Sequence, residues 1–113
     1  MAEVIITFDL EKEINKKFKG ESIKIFELIY SLKENPKKGK PVGHIGGMVI
    51  KELKYKKFRF YFITDGFKVK FLQIPELNDL LIKFVRMSDK KTQQGTIEEI
   101  KKVLRIFGGK GFK

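Results

Sequence analysis

The sequence predicts a single α+β domain over residues 1–113, in which an N-terminal strand and a two-helix hairpin pack on a four- to five-stranded, mainly antiparallel sheet, plus a C-terminal helix. The length suits one domain, and 42% of the 113 residues are hydrophobic. Apolar residues recur at helical spacing near both ends of the chain and alternate with polar residues in its middle. Pro and Gly punctuate the boundaries between these segments.

The first 33 residues predict the strand and the helical hairpin. Residues 3–8 (EVIITF) are β-branched and apolar, as is typical of a strand, and Asp9 is expected to cap the following helix. Gly20 ends this helix, and a second one is predicted from 21 to 33, since helices tend to stop before a proline such as Pro36. The apolar stripes are Leu10, Ile14 and Phe18 in the first helix and Ile25, Leu28, Ile29 and Leu32 in the second.

The middle of the chain predicts a loop followed by strands. Residues 35–47 (NPKKGKPVGHIGG) are rich in Pro and Gly and are expected to form a loop. Strands are predicted at 48–55, 57–64 and 67–74. Asp65-Gly66 is a two-residue hairpin signal, which predicts antiparallel pairing of the last two strands.

Alternation along these strands sorts their side chains onto two faces. Phe58, Phe60 and Phe62 share a strongly apolar face, which is expected to cover the helices. The opposite face is mixed and basic, and we expect it to be open to solvent or to a ligand. It carries Lys57, Arg59, Tyr61 and Ile63.

The last third of the chain predicts one more strand and a helix. The strand is expected at 81–86, whereas residues 88–94 fit a strand extension, a helix start or a loop. Thr96 to Glu99 (TIEE) matches a capping box and predicts a helix beginning there. Its apolar stripe is Ile97, Ile100, Val103 or Leu104, and Phe107. The glycine-rich residues 108–113 predict a flexible tail.

The charge points to a polyanionic partner. The chain carries 25 Lys and Arg against 14 Asp and Glu, a formal net charge of +11. Such a field attracts nucleic acid first and an anionic membrane surface second. No apolar run approaches the roughly 20 residues of a spanning helix, so no membrane partner is predicted.

The absence of Cys excludes disulfides, and a single His is too few for a His-rich metal site, so no metal or other cofactor is predicted. The N-terminus runs directly into a strand pattern without a signal peptide, so a cytoplasmic location is expected.

Basic residues on strands are the main candidates for chemistry, because no common catalytic motif is present. When a ribose 2′-OH attacks its own phosphate, negative charge builds on the non-bridging oxygens, and fixed Arg and Lys donors stabilise it without a metal. Arg59 and Arg86 are candidates because Arg offers a bidentate fork, and a Lys crowded by cations is a candidate base. The plainer interpretations are that Arg59 pairs with Glu52, that each Lys solvates the surface and that His44 is a bystander.

The order of a strand, two helices and three or four antiparallel strands resembles the RelE/ParE toxin superfamily, in particular its RelE-like mRNA interferase branch of archaeal type. The resemblance covers roughly residues 3–94. The segment SLKENPKKGKPVGHIGGMVIKELKYKKFRFYFITDGFKVKFLQI is similar to the family's helix end, Asn-Pro loop, basic strand, R-x-x-Y-type strand and hairpin. The segment FVRMSDKKTQQ is similar to its last strand with an Arg.

The resemblance implies the toxin of a toxin–antitoxin system, which cleaves mRNA on the ribosome, without a metal, by 2′-OH attack. It implies catalytic roles for Arg59, Arg86 and Lys54, and RNA binding by Lys51, Lys56, Lys57, Lys90 and Lys91. The implied partners are a cognate antitoxin, mRNA and the ribosome, in a homodimer or a heterotetramer with the antitoxin. The family often places a Tyr after the last-strand Arg, where this chain has Thr92 and Gln93 with Lys90 and Lys91 nearby, so either another group replaces the Tyr or the activity is lost.

Two other functions stay open on the sequence. A ParE-like toxin has the same fold, inhibits DNA gyrase and lacks the basic catalytic set. The second is a non-catalytic RNA-binding module, because an α-β-β-β-α order is similar to that of double-stranded-RNA-binding domains. This chain departs from that order, since it has an extra leading strand and two leading helices.

Overall fold

The computed structural model describes residues 1–108, so the predicted flexible tail lies, from residue 109 on, outside the described residues. In chain order the helices and strands are β1 (Glu3–Ile6), α1 (Phe8–Phe18), α2 (Ser22–Tyr30), β2 (Lys40–Ile45), β3 (Met48–Tyr55), β4 (Phe58–Asp65), α3 (Gly66–Phe71), β5 (Leu81–Asp89) and α4 (Gln93–Phe107). No helix within residues 1–108 has the length and apolar character needed to cross a bilayer. The predicted α+β class is confirmed.

The five strands form one mixed sheet in the order β1-β5-β4-β3-β2. β1 pairs parallel with β5, and the other neighbouring strands pair antiparallel. β3 and β4 pair from Met48 opposite Asp65 to Tyr55 opposite Phe58 without a register shift. This long, regular ladder extends from one end of the sheet to the other.

The helical hairpin of α1 and α2 covers one face of the sheet. Phe60 and Phe62 of β4 point into this core together with Phe84 of β5, whose ring centroid lies 4.7 Å from that of Phe62. The helical stripes meet them as predicted, with Leu10, Ile14, Ile25, Ile29 and Leu32 buried. The predicted apolar face of β4 is therefore confirmed.

α4 packs on the opposite face and creates a second core. Tyr61 and Ile63 are buried there, so the expectation that this whole face is open was wrong. Their apolar surface needs a cover, and α4 supplies one through Ile97, Ile100 and Leu104. The basic end of this face, beyond the start of α4, stays uncovered.

The predicted loop at 35–47 was wrong in its second part, because Lys40–Ile45 forms the edge strand β2. An edge strand tolerates Pro41, and the ladder with β3 shifts register between Pro41 and Gly43. The turn to β3 passes through Gly46, whose φ of +59° is easy for glycine. Pro and Gly therefore mark a bulge and a hairpin turn here as well as a loop.

The predicted strand at 67–74 was also wrong, because Gly66–Phe71 is the helix α3. The Asp65 carboxylate accepts hydrogen bonds from the backbone N–H of Phe67 (2.9 Å) and Lys68 (3.2 Å), so it caps a helix and does not begin a hairpin turn. Phe67 and Phe71 then fall at i and i+4, with ring centroids 5.1 Å apart.

Two helix starts differ from prediction. α1 begins at Phe8, so Thr7 takes the cap position predicted for Asp9, and residues 7–8 lie outside the first strand. α4 begins at Gln93, before the predicted start at Thr96, whose hydroxyl donates to the Thr92 carbonyl instead of capping the helix. Residues 88–94 thus end β5, form a turn and begin α4.

Candidate nucleic-acid interface

A concave basic surface lies where β3 and β4 turn and β5 ends. We call it the basic depression, with a volume of about 460 Å³. Its lining residues are Lys54, Lys56, Lys57, Arg59, Asp89, Lys90 and Lys91. Six of the eight predicted site residues meet here, all except Lys51 and Arg86. They come from two short segments of sequence, the β3–β4 turn with its flanks and the turn after β5.

The β3–β4 turn has two residues, Lys56 and Lys57, because Tyr55 pairs directly with Phe58. Lys56 has a φ of +54°, a left-handed conformation that non-glycine residues adopt rarely but that tight hairpins require. Its ammonium forms an ion pair with Glu21, which also accepts a hydrogen bond from the Tyr55 hydroxyl (3.1 Å). These two hydrogen bonds hold the pKa of Glu21 below its ordinary value and tie the turn to the segment between α1 and α2.

Arg59 is the best-placed cation of the depression. It is the cross-strand partner of Lys54, and its Nη1 donates to the Lys57 carbonyl (3.2 Å). Its Nε is buried with no acceptor among residues 1–108, and no carboxylate of that range forms an ion pair with it. The alternative pairing with Glu52 is therefore not seen. The guanidinium thus keeps an unused donor, which would bind an anion once the side chain turned Nε towards the depression.

The turn after β5 is ordered by Asp89. Its Oδ1 accepts hydrogen bonds from the backbone N–H and the hydroxyl of Thr92, both at 3.0 Å. These bonds lower the pKa of Asp89 below its ordinary value. They also fix the turn that carries Lys90 and Lys91. An Asp three residues before a Thr is a sequence signal for such a turn.

A polar layer separates the depression from the second core. The Tyr61 hydroxyl lies 2.8 Å from the Ser88 hydroxyl, and burial raises the pKa of this phenol. Beside it, the Gln93 side-chain amide donates to the Glu52 carboxylate at 3.0 Å. Because α4 begins at Gln93, the cations beyond this layer are left without a helix above them.

Arg86 is not brought into the depression. Its Nε donates to the Glu99 carboxylate of α4 at 2.8 Å, and its Nη1 donates to the Val85 carbonyl at 2.9 Å. It lies two residues along β5 from Ser88, the cross-strand partner of Arg59. The structure thus places the two predicted arginines near each other but directs Arg86 towards α4.

Lys51 lies on the other face of the sheet, under the helical side. Its side chain is 2% exposed, and its Nζ donates to the Lys37 carbonyl at 2.8 Å. No carboxylate among residues 1–108 forms an ion pair with it. Burial, aided by the charge of Lys37, lowers the pKa of Lys51 below its usual 10.5. Lys51 is therefore a buried cation without a counter-charge in the described chain.

Replacing Lys51 by Met is expected to raise the free energy of unfolding by about 1–3 kcal/mol at pH 7, because an unpaired buried charge is costly and Met keeps the length of the apolar stem. The matched change Lys54→Met, on the exposed flank of the same strand, is expected to stay within about 0.5 kcal/mol. Urea denaturation of the three proteins measures both.

The advantage of Lys51→Met should depend on pH. Since the folded-state pKa of Lys51 is lowered, the unfolded chain binds more protons between that pKa and 10.5, and wild-type stability rises with pH through this window. The cost of burying the charged Lys51 is full below this window and absent above it. The free energies of unfolding of wild type and Lys51→Met should therefore converge as the pH approaches 10.5. A less stable Met variant at pH 7 would show that the ammonium is stabilising.

His44 lies away from the basic depression. It sits on β2 opposite Val49, five positions along β3 from Lys54, or about 16 Å at the usual strand rise. Within residues 1–108, no three His, Asp or Glu side chains are grouped as metal ligands would be. The chemistry available in the depression is therefore that of Arg and Lys donors and one carboxylate.

Comparison of the chain with protein-family models, with curated proteins and with solved structures finds no match.

Proposed function

We propose that this protein is the toxin of a toxin–antitoxin system, an endoribonuclease that binds mRNA in the basic depression and cleaves it on the ribosome by 2′-OH attack. The observation that carries the proposal is Arg59. It is a strand-held guanidinium with a buried, unused Nε donor, and five lysines share its depression. Donors fixed before the reaction stabilise developing phosphate charge better than mobile ones.

The depression suggests a division of roles. Arg59 would stabilise the phosphate in the transition state, with Lys54 directly across the strands as a second donor. The cations of the two turns, Lys56, Lys57, Lys90 and Lys91, would bind the RNA backbone. Arg86 would join them only if its ion pair with Glu99 opened. An acid-rich antitoxin segment over the same cations would keep the toxin inactive.

A non-catalytic RNA-binding module is the second candidate, and one observation favours it. The lining of the depression includes neither His nor Tyr, and its single carboxylate, Asp89, has a lowered pKa. Such a carboxylate is a poor proton carrier near neutral pH. Binding without cleavage needs only the cations.

The deciding experiment is to express the chain without a partner in a growing bacterium and to map mRNA 5′ ends. Arg59→Ala is the test variant, and Arg105→Ala, which removes an exposed charge near the end of α4, is the matched control. New ends inside translated frames that persist in the control and vanish with Arg59→Ala support the endoribonuclease. Growth arrest with intact mRNA supports the gyrase-inhibiting alternative, and no effect from a folded, accumulated protein supports the binding module.

RNA binding through the depression is expected to weaken steeply with salt. For single-stranded RNA each neutralised phosphate contributes about −0.7 to the slope of log K against log salt, so six cations give a slope of about −4. Lys90→Ala should reduce the magnitude of this slope by about 0.7, whereas Lys102→Ala, on an exposed part of α4, should not change it. Fluorescence anisotropy with a labelled oligonucleotide measures the slopes, and equal effects of both variants would place the RNA elsewhere.

A further inference from the structure

A second concave surface lies at the other end of the sheet, between α3 and the β2–β3 hairpin. We call it the α3 groove, and its volume is about 680 Å³. Its principal lining residues are Pro41, His44, Val49, Lys51, Phe67 and Phe71. It occupies the helical side of the sheet, whereas Lys54 and Arg59 of the basic depression belong to the side of α4.

The wall formed by α3 is strongly apolar and exposed. The side chains of Phe67 and Phe71 are 63% and 61% exposed and pack on each other. Exposed aromatic pairs beside a concavity are typical anchors of protein interfaces. α3 thus presents apolar surface that nothing in residues 1–108 covers.

The floor of the groove contains the buried cation Lys51. Its only hydrogen-bond acceptor among residues 1–108 is the Lys37 carbonyl, and no carboxylate of this range neutralises it. A buried cation normally has an anionic partner. An anion supplied from outside would complete this site, and the neighbouring Lys70 adds to its positive charge.

We propose that the α3 groove docks an acidic protein segment, in which a carboxylate pairs with the Lys51 ammonium and an adjacent apolar side chain packs on Phe67 and Phe71. This inference does not depend on the proposed ribonuclease activity, because it concerns other residues at the other end of the sheet. A partner bound in the groove would leave Arg59 accessible.

The chemistry of the groove favours an acidic protein segment over the other occupants. A second copy of the chain would bring a net charge of +11 to a surface that is itself positive. Residues 109–113 contain two Lys and no acidic side chain. RNA presents a regular row of phosphates, which suits the six cations of the basic depression better than one recessed ammonium beside two Phe rings.

The test is selection of displayed random 12-residue peptides on the folded full-length protein, followed by titration of the enriched synthetic peptides by calorimetry. The test variants are Phe67→Ser and Lys51→Met. The matched controls are Phe107→Ser, which removes an equally exposed Phe from α4, and Lys102→Met, which removes an exposed Lys from the same helix. Thermal unfolding of each variant confirms that it is folded.

The expected peptides carry Asp or Glu next to an apolar residue, bind with one-to-one stoichiometry, weaken at least tenfold in both test variants and bind both controls like wild type. Failure to enrich any peptide, or unchanged binding to Phe67→Ser and Lys51→Met, would overturn the proposal. So would peptides displaced by an RNA oligonucleotide and lost with Arg59→Ala, because their site would be the basic depression. A dimer in sedimentation that Phe67→Ser dissociates would overturn it in favour of a second copy.

Discussion

Arg59→Ala is expected to lower the rate of RNA cleavage by about 10²–10³-fold, the usual effect of removing one fixed donor from a developing oxyanion. The reason lies in the surroundings of Arg59. Strand pairing holds its backbone, the Lys57 carbonyl holds Nη1, and the buried Nε meets no acceptor among residues 1–108. The strand and the Lys57 carbonyl therefore position the guanidinium before a phosphate arrives, whereas the buried Nε would contact the phosphate only after the guanidinium turned.

Single-turnover cleavage of mRNA on programmed ribosomes measures this effect. Arg59→Lys should retain part of the rate, because Lys keeps the charge but not the planar fork. Arg105→Ala changes the net charge by the same amount and should cleave like wild type. Cleavage by Arg59→Ala at the wild-type rate would refute the role of Arg59, and equal losses in Arg59→Ala and Arg105→Ala would show that only the overall charge matters.

Ile100→Ala is expected to lower the free energy of unfolding by about 2–5 kcal/mol, the usual cost of removing buried aliphatic carbons. Ile100 is fully buried in the second core, where α4 packs on Tyr61 and Ile63. Ile106→Ala is its matched control on the same helix, because Ile106 is 62% exposed, and it should change stability by no more than about 0.5 kcal/mol.

Urea denaturation followed by circular dichroism separates the two variants. The same samples should be tested for RNA binding, because the start of α4 borders the basic depression through the bond between Gln93 and Glu52. Equal small effects of both substitutions would mean that α4 is not an integral part of the fold. A large loss confined to Ile100→Ala would show that the second core is needed for stability.

The parts of the fold that sequence predicts well are those that local periodicity determines. The alternation of Phe58, Phe60 and Phe62 identified the face under the helical hairpin, because side chains alternate on any strand. The cover that α4 provides over Tyr61 and Ile63 was not predictable in this way, since it depends on where a distant helix packs. The sequence Asp65-Gly66 predicts either a hairpin turn or a helix start. In both cases the Asp carboxylate accepts hydrogen bonds from the backbone N–H groups that follow it.

The candidate site was predicted in part for a similar reason. Lys54, Lys56, Lys57 and Arg59 come together because a two-residue turn folds six consecutive residues onto one end of the sheet. The sequence alone places Lys51 and Lys54 on opposite faces of the sheet, since residues three apart on a strand point to opposite sides. The sequence could not show that Arg86 lies outside the depression, because a register shift in β5 and an ion pair with Glu99 of α4 decide where its side chain points.

The crowding of cations in the basic depression links the stability of the fold to the ions around it. Six positive side chains from two turns and their flanking strands repel one another, and Asp89 is the only acidic residue of the lining. Added salt screens this repulsion, and a polyanion that binds the folded chain more tightly than the unfolded one stabilises it by RT ln(1 + [L]/Kd). At a fixed salt concentration, a polyanion that occupies the depression is therefore expected to raise the melting temperature of the protein, whatever chemistry follows.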